Sequence, residues 1–162
     1  MTAGRDTPPA EPRYRSAPTT PEGQHPGIGE PADHGQHSVL LCDDKAEIRD
    51  AIRAMLRDDA QFRVIGEAGD GAECLDVLRA VRPDVLILDV NMPGGGPDVA
   101  TAARNICPAL QILVYSGNAA PRDQQRMLDA GADDYVVKTG RIRPLRAGLS
   151  RAATRLHSNT PR

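Results

Sequence analysis

From Ser38 onward, five apolar runs alternate with five stretches whose apolar residues recur every three or four positions, and that alternation restricts the fold more than any other feature. The runs cover about 38–42, 62–68, 84–90, 111–115 and 135–138. Between them lie Ile48, Ile52, Met55 and Leu56, then Cys74, Leu75, Leu78 and Val81, stopped by Pro83. Val99, Ala102, Ala103 and Ile106 follow, before Pro108, and Met127 and Leu128 close a fourth helix at Gly131, a residue suited to a helix C-terminus. The last helix carries Ile142, Leu145, Leu149, Ala152 and Leu156, with Pro144 tolerated in its first turn. Short strands alternating with helices predict an α/β fold: a doubly wound (βα)5 unit, its five-stranded parallel sheet covered on both faces and its crossovers right-handed.

Four of the runs end on a polar residue. The first leads into Asp43-Asp44, the third into Asp89, the fourth into Ser116 and the fifth into Lys138. Parallel strands point the same way, so these tips gather at the carboxyl edge of the sheet, where open α/β sheets bind ligands. Three carboxylates, a hydroxyl and an ammonium would then share one pocket. Crowded carboxylates resist ionisation unless a cation intervenes. A hard divalent ion with oxygen ligands, Mg²⁺ above all, relieves that cost. The set suits cation binding and uptake of a phosphoryl group by an aspartate. Each residue also has a plain structural reading. Asp43-Asp44 can cap a helix, Lys138 can be a surface lysine, Ser116 a turn residue and Tyr135 core.

Composition narrows the alternatives. The net charge of −2 does not mark the whole chain as a nucleic-acid binder. No run of 18 apolar residues predicts a membrane span, and Met1 to His37 shows no apolar signal region. That first segment holds seven prolines and five glycines, with Ile28 its one large aliphatic residue beyond Met1. It cannot bury enough apolar area to offset its ordering entropy, so residues 1–37 are expected to be a disordered arm, with His25, His34 and His37 solvated. Cys42, Cys74 and Cys107 are too scattered for a disulfide framework and are expected as small buried hydrophobes in a reducing cytoplasm. With no Trp and only one Phe, Phe62, the core must be aliphatic.

The signals Cys42-Asp43-Asp44, Asp89-Val90-Asn91-Met92-Pro93, Tyr115-Ser116-Gly117 and Tyr135-Val136-Val137-Lys138, in that order, resemble the receiver domain of two-component response regulators. The approach Ala130-Gly131-Ala132-Asp133-Asp134-Tyr135 is similar too. The resemblance covers about Ser38 to His157, with 38–158 expected as the domain and 159–162 as a tail. It implies a flavodoxin-like sheet of order 2-1-3-4-5 and a phosphoacceptor at Asp89, with Lys138 and Ser116 assisting. It further implies Mg²⁺ held by Asp44, Asp89 and the Asn91 backbone carbonyl, with Asp43 acting through water. Ser116 and Tyr135 would be the switch pair. The donor would be a sensor histidine kinase or a phosphotransfer protein, and the chain would turn over no external metabolite. Two departures stand out. Thr139-Gly140 follows Lys138 where the family often has Pro, and the loop Met92-Pro93-Gly94-Gly95-Gly96-Pro97 is unusually glycine-rich.

Only six residues follow Leu156, so the expectation is a receiver acting by itself through its α4-β5-α5 face on an unknown protein target. From Lys138 to Arg162 there are seven Lys or Arg and no Asp or Glu. This reads as a solvated face or as a docking surface for an acidic partner. Nucleic acid is not expected, because no helix-turn-helix or aromatic platform accompanies the charge. The stripe of the last helix could also support a homodimer. Two rivals are weaker. A phosphorylation-independent receiver-like binding module has no need of the full acid-hydroxyl-lysine set. An aspartyl phosphatase would want a second Asp where Asn91 stands, and a flavin protein a Ser/Thr/Gly-rich loop where Asp43-Asp44-Lys45-Ala46-Glu47 stands.

Overall fold

The computed structural model describes residues 35–159. Five strands, β1 (His37–Cys42), β2 (Phe62–Ala68), β3 (Val85–Leu88), β4 (Gln111–Ser116) and β5 (Asp134–Val137), form one sheet of order β2-β1-β3-β4-β5. Every pairing is parallel. The connecting helices are α1 (Ala46–Leu56), α2 (Gly71–Val81), α3 (Pro97–Ile106) and α4 (Pro121–Asp129), and α5 (Arg143–Asn159) closes the unit. This is the flavodoxin-like order expected above.

Strand alternation divides the core in two. Leu40, Cys42, Leu86, Leu88, Ile112 and Val114 enter a layer with Cys74 and Leu78 of α2, Ala100 and Ala103 of α3, and Met127 of α4. Val39, Leu41, Val85, Ile87, Leu113 and Tyr115 face the other way, onto Ile52 and Leu56 of α1 and Leu145, Leu149 and Ala152 of α5. The core is aliphatic, as the composition requires, and each fully buried Leu or Ile contributes roughly 1.5–3 kcal/mol. Cys42 and Cys74 are buried and Cys107 is half-buried, all as free thiols. Burial pushes the Cys42 thiol well up, and its hydrogen bond with Cys74 adds to this.

The sheet starts earlier than composition suggested. His37, read as solvated, is the first residue of β1, opposite Phe62. Its ring lies 5.7 Å from the Phe62 ring and 5.0 Å from that of His157. Burial lowers its pKa, opposed by Asp84 and helped by His157. An aromatic surface beside the imidazole outweighs the polar context that pointed to a tail. His25, His34 and the rest of the predicted arm lie outside the described residues.

One glycine governs how the loops above the sheet meet. A Cβ on Gly71, the first residue of α2, would lie 1.9 Å from the Gly94 carbonyl oxygen. The Gly71 amide donates to the Pro93 carbonyl at 2.8 Å. The glycine-rich loop after β3 is therefore pinned to the start of α2.

Candidate functional site

Three of the polar residues continue the sheet's hydrogen bonding just past the strand ends. The Asp43 amide donates to the Ala68 carbonyl at 3.0 Å, Asp89 to Cys42 at 2.8 Å, and Lys138 to Ser116 at 2.8 Å. Their side chains thus leave from the last ordered register positions of a rigid scaffold. Asp43 and Asp89 are each 3 % exposed and Ser116 is fully buried, whereas Asp44 is exposed. One carboxylate oxygen from each of Asp43, Asp44 and Asp89 lies within 4.8 Å of the others. An all-oxygen donor set with this charge fits a hard divalent cation.

Lys138 closes the cluster from the β5 side. Its Nζ lies 2.5 Å from Asp43 Oδ2 and 3.1 Å from Asp89 Oδ2. Burial pulls this ammonium down, but the bonds to and charges of the two carboxylates outweigh it and hold its pKa above the ordinary value. The same Nζ stands 5.4 Å from the centre of the Tyr115 ring, a cation–π contact. Asp43 Oδ1 accepts from the Lys45 amide at 2.9 Å, and Asp89 Oδ1 from the Asn91 amide at 3.1 Å.

A second chain of bonds runs from the carboxylates toward α4. The Asn91 side-chain amide donates to Ser116 Oγ at 3.0 Å, which also accepts from the Asn118 amide at 3.3 Å. The Asn118 side chain donates to Asp123 of α4 at 2.7 Å, and its carbonyl accepts from the Tyr135 hydroxyl at 2.8 Å. Burial raises the Tyr135 pKa, opposed by a hydrogen bond with Ser116. A cavity of about 190 Å³ opens beside these groups, between Asn91, Gly96 and Pro97 on one side and Asn118, Asp123 and Met127 on the other. Asp43, Asp44, Asp89, Asn91, Ser116, Tyr135 and Lys138 thus converge on one end of the sheet.

Sequence reasoning missed three contributors. Arg49 of α1 donates to the Asp43 carbonyl at 2.6 Å. Tyr115 lies inside an apolar run and reads as plain core. Asp123 looks like an ordinary residue of a first helical turn.

A parallel sheet of this order with an acid cluster, a hydroxyl and a lysine at its carboxyl edge defines a receiver-type α/β unit. The family described as the response regulator receiver domain matches residues 39–150, and the chain belongs to it. The chain is 37 % identical over 101 residues to the nitrate/nitrite response regulator protein NarP of Escherichia coli, covering 62 % of this chain and 47 % of that one. It is 36 % identical over 126 residues to the transcriptional regulatory protein PdtaR of Mycobacterium tuberculosis, covering 75 % and 59 %. The chain spans about half the length of these curated relatives. Among solved structures, the receiver domain of AraT, a response regulator from Geobacillus stearothermophilus, superposes with a TM-score of 0.67 at 30 % identity, covering 75 % of this chain and 96 % of that one. Among the described residues no helix is long and apolar enough to cross a membrane.

Proposed function

We propose that this receiver domain is a phosphorylation-controlled switch, with Asp89 as phosphoacceptor and a phosphohistidine of a sensor kinase or phosphotransfer protein as donor. The observation that carries the reading is the seating of Lys138 Nζ against Asp43 and Asp89, inside a cluster of three carboxylates. A carboxylate oxygen of Asp89 attacks phosphorus as the bond from phosphorus to the donor imidazole breaks. The electron pair returns to the imidazole nitrogen, and Asp89 is left as an acyl phosphate. Asp44 and Asp89, the Asn91 backbone carbonyl and, through water, Asp43 would hold Mg²⁺, which supplies charge neutralisation for the incoming phosphoryl group. Lys138, already the counter-charge of Asp89, stays with the modified side chain as its negative charge grows.

Signalling then follows from the proton of the Ser116 hydroxyl. That hydroxyl is tied to Asn91 and Asn118 in this structure. Both partners donate to Oγ, so the hydroxyl's own proton can go to a phosphoryl oxygen; the hydroxyl turns to it and the loop bearing Asn118 follows. Tyr135 and Asp123 are bonded to Asn118 and feel that movement, which carries the change to the α4-β5-α5 face. Converting a rare active state into a dominant one takes about 5 kcal/mol. A few charge-assisted hydrogen bonds, at about 1.5–3 kcal/mol each, are enough. The domain turns over no external metabolite. The test is intact-mass spectrometry after incubation with Mg²⁺ and phosphoramidate, a small donor with the same phosphorus–nitrogen bond. Wild type should gain one phosphoryl group and Asp89→Asn none. Equal gain by both would place the acceptor elsewhere.

A further inference from the structure

The three clustered carboxylates are not held alike. Asp43 and Asp89 each have both oxygens engaged, by Lys138 and by a backbone amide. Asp44 is exposed and, among the described residues, its carboxylate makes no hydrogen bond or ion pair. Its placement therefore depends on its backbone. The Asp43 carbonyl and the Asp44 amide belong to one rigid, planar peptide unit, and Arg49 grips that unit by its oxygen, with Nη1 2.6 Å away.

The gripping group is itself fixed. Arg49 Nε lies 3.1 Å from Glu67 Oε2 on β2, and the two side chains are only 21 % and 24 % exposed. Glu67 is paired in turn with Arg53, one helical turn along α1. In the sheet, Glu67 is the register partner of Leu41, two residues before Asp43. The guanidinium thus bridges β2 to the loop leaving β1, using two edges of its planar fork at once, which a lysine cannot reproduce.

We infer that Arg49 is a positioning residue for the divalent cation, acting through the Asp43–Asp44 peptide to set the direction in which the Asp44 carboxylate leaves the backbone. This rests on the reading of the acid cluster as a Mg²⁺ site. An arginine that merely anchors α1 to the sheet would change the melting temperature and leave cation affinity of the folded protein alone. A positioning arginine changes the affinity. Partners that orient metal ligands typically matter by tenfold or more in metal affinity.

The experiment is a Mg²⁺ titration of the full chain by calorimetry, well below the melting temperature, with amide NMR spectra of the metal-free proteins. Arg49→Gln should raise the Mg²⁺ Kd about tenfold and shift the Asp44 amide before any metal is added. Arg49→Lys should recover part of the affinity. Arg79→Gln on α2, paired among the described residues with Asp76, controls for the loss of one positive charge and should leave the Kd unchanged. Should Arg49→Gln melt too low, Glu67→Gln removes the charge that fixes the guanidinium and should give a smaller rise. A wild-type Kd in both Arg49→Gln and Glu67→Gln would overturn the inference while leaving the Mg²⁺ site intact. No Mg²⁺ binding by the wild type would instead overturn the functional reading, and this inference with it.

Discussion

The two ends of the sheet treat their acids in opposite ways. At the amino end, Asp84 Oδ2 accepts from both the amide and the hydroxyl of Ser38, each at 2.8 Å. Asp133 Oδ2 accepts from the Ile112 amide at 2.7 Å and from Arg104 at 2.6 Å. Arg104 also satisfies the carbonyls of Pro108, Leu110 and Gly131, so a single side chain ties together the end of α3, the start of β4 and the turn after α4. Each acid there caps donors that would otherwise lie half-buried without partners. At the carboxyl end three carboxylates face one ammonium, and one of the three, Asp44, has no partner at all among the described residues. Charge without compensation lowers stability, and a fold retains it where a ligand supplies the balance. The amino end is arranged for stability, and the carboxyl end carries the unbalanced charge on which the proposed cation site rests.

That contrast breaks most cleanly at Asp89. Asp89→Asn should abolish phosphoryl uptake while leaving the urea midpoint equal to wild type or higher, because one of three crowded charges is gone. A large loss of stability would show that this acid, too, is structural. Gly71→Ala sharpens the comparison from the other side, since it is a purely steric change at the binding end. With backbone oxygen where the new Cβ must go, it should cost about 3 kcal/mol and weaken Mg²⁺ binding as the loop after Asp89 shifts. Denaturant melts and calorimetry measure the two effects.

Asp133→Ala is the amino-end counterpart of Asp89→Asn. It strands the Ile112 amide and part of the Arg104 guanidinium, and should cost about 2 kcal/mol with phosphoryl uptake by the folded protein unchanged. Lost uptake at full folding would mean that the two ends are coupled. The smallest effect concerns His37. Burial lowers its pKa from the ordinary 6.5, with Asp84 opposing and His157 helping. Its contribution is therefore present above pH 6.5 and lost as pH falls through the lowered value, since the unfolded chain binds the proton more readily. Stability followed from pH 7.5 to about pH 5 should fall less steeply in His37→Gln than in wild type. Parallel slopes would show that His37 does not contribute to the pH dependence.

The sheet, its five helices and the positions of most candidate site residues were legible because they depend on local pattern. Period-two alternation sends Leu40 and Leu41 to opposite layers, and a polar residue directly after a buried run can only sit at the sheet edge. Asp43, Asp44, Asp89, Ser116 and Lys138 were visible for that reason. Arg49 was not, because a charged residue on an amphipathic helix looks solvated, and its partner Glu67 lies on another strand, 18 residues away. Arg104 and Asp133 were hidden in the same way, 29 residues apart. Tyr115 was concealed by its own hydrophobicity, since nothing in Gln111-Ile112-Leu113-Val114-Tyr115 shows that the ring lies beneath an ammonium. His37 was misplaced because the polar, proline-rich text before it gives no sign of the Phe62 and His157 rings that enclose it. Partnerships between side chains far apart in sequence arise from the fold and leave no periodic trace.

In the proposed switch an event at Asp89 reaches Tyr135 and α5 through Ser116 and Asn118. The most direct test is a two-dimensional amide NMR spectrum recorded with Mg²⁺, before and after adding beryllofluoride, which mimics the acyl phosphate on a carboxylate. Shifts at Asp44 and Asp89 should spread through Ser116, Asn118 and Tyr135 into α5. A response to Mg²⁺ with none to beryllofluoride, or shifts that stop at the carboxylates, would contradict that route.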